Sequence, residues 1–189
     1  MKRVLIIGSG GAGKTTFAQT LASRTGLPLT HLDQLFWHPG WVPTPDEEWD
    51  RLIAQLIARD SWILDGNYGR TLPRRLDAAD TVIFLDLPPL VCTWRILKRQ
   101  LRYAGRIRPD SAPGCPERLT WEFVAWVWTY RSRRRPEIMK RLDTVKSTKR
   151  IIVLRSDKEV RRFLERVLHN PFTTEDTEET LTRSRQKKL

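Results

Sequence analysis

The run Gly8-Ser9-Gly10-Gly11-Ala12-Gly13-Lys14-Thr15 completes the pattern G-x-x-x-x-G-K-[ST], and Thr16 follows it. Glycines at this spacing let the backbone curl so that successive N–H groups point inward at a chain of phosphates. The Lys14 ammonium suits the β- and γ-phosphates of a nucleotide, and the Thr15 hydroxyl suits Mg²⁺. Gly8, Ser9, Gly10, Gly11, Ala12, Gly13, Lys14, Thr15 and Thr16 are therefore the candidate donor-binding residues. Further chemistry sits at the ends of apolar runs, where Asp33, Asp65 and Asp86 each close a short hydrophobic stretch. Arg95, Arg99 and Arg102 share one helical face, and three like charges there repel unless an anion lies across them. Trp37, Trp41 and Tyr68 offer flat faces on which a base or sugar could stack, although packing explains such residues equally well. His31, His38 and His169 show no metal-ligand spacing.

These groups need elements to carry them. Val4-Leu5-Ile6-Ile7 reads as a buried strand leading into the glycine-rich loop, and a helix over 14–25 is stopped by Gly26 and Pro28. Residues 29–32 form a short second strand ending in Asp33, and a Trp- and Pro-rich connection occupies 37–43. Thr44 is the expected N-cap of a helix whose stripe is Trp49, Leu52, Ile53, Leu56 and Ile57. Residues 62–65 make a third strand with a turn at Asp65-Gly66-Asn67-Tyr68, and 81–85 a fourth, closing on Asp86. Pro88-Pro89 opens a helix to about Arg102. The segment 103–116 is rich in Gly, Pro and Arg without apolar period, so a mobile loop is expected there. A long helix from Glu117 is broken or kinked by Pro136, a fifth strand covers 151–154, and a last helix runs over 157–168. The alternation of strands and helices predicts an α/β domain built on a parallel sheet. From Pro171 the chain is polar, and a disordered tail is expected over 171–189.

The chain has 189 residues and a net charge of +12, and Arg outnumbers Lys by 25 to 9. Residues 91–150 hold 16 Lys and Arg against 5 acids, so nearly all the excess lies in one third of the chain. Guanidinium forks suit phosphate oxygens, so polyphosphate or nucleic acid is the natural partner. No stretch approaches the length of a membrane span, and the apolar run at 4–7 is too short for a signal-peptide core. The expectation is a cytoplasmic protein with no membrane partner, as monomer or homodimer. Cys92 and Cys115 form neither a disulfide framework nor a zinc site.

The order of phosphate loop, LDGNYGRT at 64–71, apolar strand, arginine-bearing helix, Arg-rich loop and second arginine-bearing helix resembles the adenylate kinase and related small-kinase superfamily. HLDQLFWHPGW at 31–41, DGNY at 65–68, RPDSAPGCPE at 108–117 and the Trp-rich helix after it are similar to the DNA topology modulation (FlaR-type) proteins within it. The resemblance covers about 1–168. It implies a three-layer αβα P-loop NTPase fold with a five-stranded parallel sheet, a domain over 1–170 and an Arg-rich lid at about 103–116. It further implies ATP and Mg²⁺ as cofactors. Asp65 is preferred over Asp86 as the acid partnering Thr15 at the metal, because in the superfamily that strand lies beside the phosphate-loop strand. Arg95 and Arg99 match the positions that hold the transferring phosphate, and Arg131 and Arg134 follow the lid and would close on the same anion. Arg70 matches an acceptor-phosphate arginine, although its Asn-Tyr-Gly context departs from adenylate kinase. The lid is too short for the zinc-bearing type.

Asp33 bears on the acceptor, since hydroxyl-phosphorylating members place an acid there to hold the hydroxyl and take its proton. Asp33, Trp37, Asp65, Gly66, Tyr68 and Arg70 are the candidate acceptor-site residues, and Lys14, Asp33, Arg95, Arg99, Arg131 and Arg134 the candidate catalytic ones. Two function classes fit. One is an ATP-dependent phosphotransferase acting on a small nucleotide- or hydroxyl-bearing acceptor. The other is a nucleic-acid-binding regulatory NTPase. The first is preferred because the basic residues lie where a lid would bind ATP, and Tyr68, Tyr103 and Tyr130 are in no strand-passing setting.

Overall fold

The computed structural model describes residues 1–107 and 111–169. The expectations for Arg108 and Asp110 in the lid, and for the 171–189 tail, lie outside those residues. Five strands form one parallel sheet: β1 (Arg3–Gly8), β2 (Leu29–His31), β5 (Trp62–Asp65), β6 (Thr81–Leu85) and β7 (Arg150–Leu154), in the order β2-β5-β1-β6-β7. The central strand β1 sets Ile6 opposite Asp65 on one side and Gly8 opposite Leu85 on the other. Both strands that end in an acid therefore flank the phosphate loop.

Alternation along β1 divides the core into two layers. Val4 and Ile6 face Phe17 and Leu21 of α1 (Lys14–Thr25), Cys92 and Ile96 of α5 (Pro89–Tyr103), and Phe163 of α8 (Asp157–His169). Leu5 and Ile7 face Trp49 and Ile53 of α3 (Asp46–Ile57), Leu72 and Leu76 of α4 (Leu72–Ala78), and Leu142 of α7 (Arg135–Val145). Helix α6 (Trp121–Arg133) gives Val127 to the first layer and Tyr130 to the second. The result is the expected three-layer αβα sandwich. Gly26 ends α1 at φ 70, the left-handed geometry anticipated there.

Several local expectations are corrected. Strand β2 stops at His31, and Asp33 lies on a single-turn helix, α2 (Leu32–Phe36), anchored by buried Leu32. The connection over 37–43 is a small antiparallel hairpin of β3 (Trp37–His38) and β4 (Val42–Pro43), turned by Gly40 at φ 79 and Trp41 at φ 66. Thr44 caps nothing. Its hydroxyl donates to the Phe36 carbonyl at 2.8 Å and ties the hairpin base, while α3 starts after Pro45. Glu117 stands outside α6, which begins at Trp121 with the Thr120 hydroxyl accepting from the Phe123 N–H at 3.2 Å. Pro136 does not merely break a helix; it opens α7, where its missing N–H costs nothing. Helix α4 was not anticipated.

Within the expected lid, residues 104–107 are exposed, whereas part of 111–116 packs against its surroundings. Ala112 and Cys115 are buried, the Gly40 N–H donates to the Gly114 carbonyl at 3.0 Å, and Trp41 Nε1 donates to the Pro116 carbonyl at 3.1 Å. The segment thus docks on the β3–β4 hairpin.

Candidate active site

The phosphate loop joins β1 to α1, with Gly11 at φ 76 and Gly13 at φ 86. Only glycine fits at Gly11, where a Cβ would run into the Cys92 carbonyl. Lys14 Nζ arches back to donate to the Ser9 carbonyl at 3.1 Å, which holds the ammonium over the loop. The Thr15 hydroxyl donates to Asp65 Oδ2 at 3.3 Å, and His31 Nδ1 lies 3.0 Å from the same oxygen. Asp65 is buried, and its other oxygen, Oδ1, is buried with no hydrogen-bond partner.

The 66–68 turn is built to stay in place. A Cβ on Gly66 would stand 2.9 Å from the Leu32 Cβ, and Tyr68 takes the unusual φ of 34. The fully buried Arg75 guanidinium donates to the carbonyls of Gly66 and Tyr68 at 2.8 Å each and to that of Asn67. Burial lowers the Arg75 pKa to about 10, so the group stays charged at neutral pH. The Asn67 side chain then latches the turn to the phosphate loop. Its Oδ1 accepts from the Gly8 N–H at 3.0 Å and its Nδ2 donates to the Gly8 carbonyl at 2.7 Å, as a neighbouring strand would.

Loop and turn share one cavity of about 660 Å³. Gly10, Gly11, Gly13, Lys14, Thr15, Thr16, Asp33, Trp37, Asp65, Gly66, Tyr68, Arg95 and Arg99 all line it. In its lining the Tyr68 hydroxyl donates to Asp33 Oδ1 at 2.6 Å. Burial first, and then the Asp33 charge, push the Tyr68 pKa upward, so the phenol remains a donor. Trp37 and Trp41 meet edge to face with centroids 5.6 Å apart, and the Arg118 guanidinium lies 5.2 Å from the Trp41 ring centre. Toward the loop, Arg95 forms a forked pair with Asp157 at 2.7 and 2.8 Å, and Arg99 pairs with buried Glu117 at 2.7 Å.

Not every candidate residue comes here. Gly8, Ser9 and Ala12 are buried behind the loop. Arg70 turns away to Asp50 at 3.0 Å and Asp46 at 3.5 Å. Arg131 lines a separate small concavity with Asp86 and Tyr130, and exposed Arg134 joins α6 to α7. Asp86 does not line the large cavity either, and Arg135 Nε holds it at 2.8 Å. Asn67, Arg75, Glu117 and Arg118 were not anticipated as site residues. DGNY contains Asn67, but nothing local reveals its reach to Gly8.

The residues present fit a nucleotide and its divalent cation. The loop is an open cradle under a poised lysine, and Thr15 with the unpartnered Asp65 oxygen offers the hard oxygen donors that Mg²⁺ takes beside phosphates and water. Among the described residues no cluster of three or more His, Cys, Asp or Glu could hold a metal alone.

Sheet order, loop and flanking helices define a three-layer αβα fold with a phosphate-binding loop between its central strand and first helix. Solved structures with this fold include the shikimate kinase from Acinetobacter baumannii in complex with shikimate, at TM-score 0.53 and 16% identity, covering 89% of this chain and 92% of that one. The shikimate kinase from Bacteroides thetaiotaomicron has TM-score 0.50 and 15% identity, covering 89% and 96%. No protein-family model and no curated protein matches the chain. No helix among the described residues is long and apolar enough to cross a membrane.

Proposed function

We propose that this protein is an ATP-dependent phosphotransferase that moves the γ-phosphate of ATP to a hydroxyl on a small acceptor. One observation carries the reading: a single cavity is lined both by Lys14, Thr15 and Asp65 and by the Asp33–Tyr68 pair with Trp37 and Trp41. Phosphoryl transfer asks a protein mainly to align two reactants and stabilise charge in a space with little water. Here loop amides and Lys14 bind the donor phosphates. Mg²⁺, when bound at Thr15 and Asp65, neutralises charge on the phosphate oxygens. Arg95 and Arg99 gather charge on the group in transfer. Asp33 holds the acceptor hydroxyl and accepts its proton, and Tyr68 fixes the carboxylate in position. The shikimate kinase neighbours, whose named substrate carries hydroxyls, support a hydroxyl acceptor over a nucleoside monophosphate. So does the engagement of Arg70 with Asp46 and Asp50, which takes it away from an acceptor phosphate.

The similarity of DGNY and the flanking motifs to topology modulation proteins offers the competing reading of a DNA-binding NTPase. Incubating the protein with labelled ATP and a panel of nucleosides, nucleotides and sugars separates the two. Transfer to a hydroxyl, lost in Lys14→Ala, is the expected result. Duplex binding that falls steeply with salt, together with no transfer to any acceptor, overturns it.

A further inference from the structure

Helix α5 has two apolar faces, and only one is used. Cys92 and Ile96 enter the core, whereas Leu90, Trp94, Leu97 and Leu101 remain 69, 65, 39 and 85% exposed. Large apolar side chains scattered singly on a surface need no explanation, but these four follow one another at spacings of 4, 3 and 4 along one stripe of the helix. That is the narrow two-in-seven seam of helices that pair knobs into holes, not the broad stripe of a helix lying on a core.

We propose that this stripe is the contact through which two copies of the chain pair, α5 against α5, antiparallel about a two-fold axis. The spacing is symmetric about its own midpoint, so such an axis sets Leu90 against the second copy's Leu101 and Trp94 against its Leu97. The bulky indole thus meets a leucine rather than itself. Charge agrees with this arrangement. Flanking the seam, Lys98 falls opposite Val91 of the second copy, and Thr93 opposite its Gln100, so no like charges face across the contact. The four side chains expose on the order of 500 Å² per copy, which brings the pair to the roughly 1,000 Å² that a specific interface clears. A helix lying on a lipid surface would instead carry cations along both shoulders of a wider stripe. Here Thr93 and Gln100 form one shoulder. The opposite edge of α5 bears Arg95 and Arg99, so pairing leaves the cavity open in both copies.

Sedimentation equilibrium of the full-length protein across micromolar concentrations tests the proposal. A reversible dimer is expected, and Leu101→Glu should raise its dissociation constant by about a hundredfold without lowering the melting temperature measured at concentrations where the wild type is monomeric. Trp94→Ser provides a second variant for the same comparison. Orientation is read by a short bismaleimide. Leu90→Cys and Leu101→Cys chains should cross-link when mixed and not when each is alone, because 11 residues of helix, about 16 Å, separate the two positions. A chain that stays monomeric at all concentrations overturns the proposal. So does a dimer that survives both surface variants, or a monomer that binds anionic phosphatidylserine vesicles through Trp94.

Discussion

Two strands flank the phosphate-loop strand, and each is an apolar run ending in an aspartate, yet the two acids have opposite fates. Asp65 keeps an unpartnered oxygen, meets the Thr15 hydroxyl and lines the large cavity. Asp86 is paired with Arg135 and lines a separate small concavity with Tyr130. Strand chemistry does not distinguish them. What decides is the element that arrives from elsewhere: the opening residue of α7 brings a guanidinium to one acid, while the Thr15 hydroxyl and His31 Nδ1 meet a single oxygen of the other and leave its second oxygen unpartnered. A carboxylate with an internal cation is a structural group, and one facing a hydroxyl and a lysine-topped loop is available for a ligand.

The comparison is tested hardest by the acids themselves. Lys14→Ala sets the scale, with turnover expected to fall about 10³-fold, or about 4 kcal/mol of barrier, and an unchanged melting curve. On that scale Asp65→Asn should cost about 10²-fold in initial rate, whereas Asp86→Asn leaves the rate nearly intact. Equal losses of turnover at the two acids would remove the distinction. Next comes Arg75→Met, which strips three turn carbonyls of their buried donor and should lower stability by about 3 kcal/mol in urea denaturation. Asp86→Asn should lower it by about 2 kcal/mol, because Arg135 loses its carboxylate.

Asn67→Ala removes the two bonds to Gly8 and should cost about 1 kcal/mol of stability. Its larger effect should fall on kcat, with KM for ATP little changed, because the latch aligns the donor loop with the acceptor turn; a loss confined to KM would refute that role.

The smallest effect belongs to Tyr130→Phe. The Tyr130 hydroxyl is buried without a partner, so the change should alter stability at pH 7 by less than about 0.5 kcal/mol. Burial, and after it Asp86, raise the Tyr130 pKa. The folded protein therefore keeps a proton that the unfolded chain sheds above about pH 10, and stability contributed below that pH is lost as pH rises, by about 1.4 kcal/mol per unit. Melting temperatures between pH 9 and 11 should fall less steeply in the variant.

The elements legible in the sequence were those whose signals are local and unbroken. The apolar runs of β1, β5, β6 and β7, the Gly26 stop of α1 and the double proline before α5 all stand within a residue or two of their expected places. Short or mixed segments were not. Helix α4 reads LPRRLDA, with one proline and two arginines in seven residues, and its Arg75 is an ordinary surface residue by composition. It is buried because the three carbonyls it serves lie on a turn seven to nine residues earlier. The helix expected from Glu117 starts instead at Trp121, and Glu117 lies before it, paired with Arg99. The donor half of the site was legible because a motif concentrates it in eight consecutive residues. The coupling of the halves, Asn67 to Gly8 across 59 positions, has no such trace.

The two cavity arginines have a further consequence. Arg95 and Arg99 arrive already neutralised by Asp157 and Glu117, so an incoming anion must displace an internal competitor and keeps only the difference between the two pairings. A lone sulfate or phosphate then exchanges one carboxylate for one oxyanion at little advantage. An anion long enough to take the loop amides and Lys14 as well has enough contacts to win the exchange. Under the proposed function the arrangement would favour a polyphosphate over the simple salts of its surroundings. It is also an exchange with an outlet, because the chain neighbour of the displaced Glu117 is Arg118, stacked on Trp41 in the wall where the acceptor would rest.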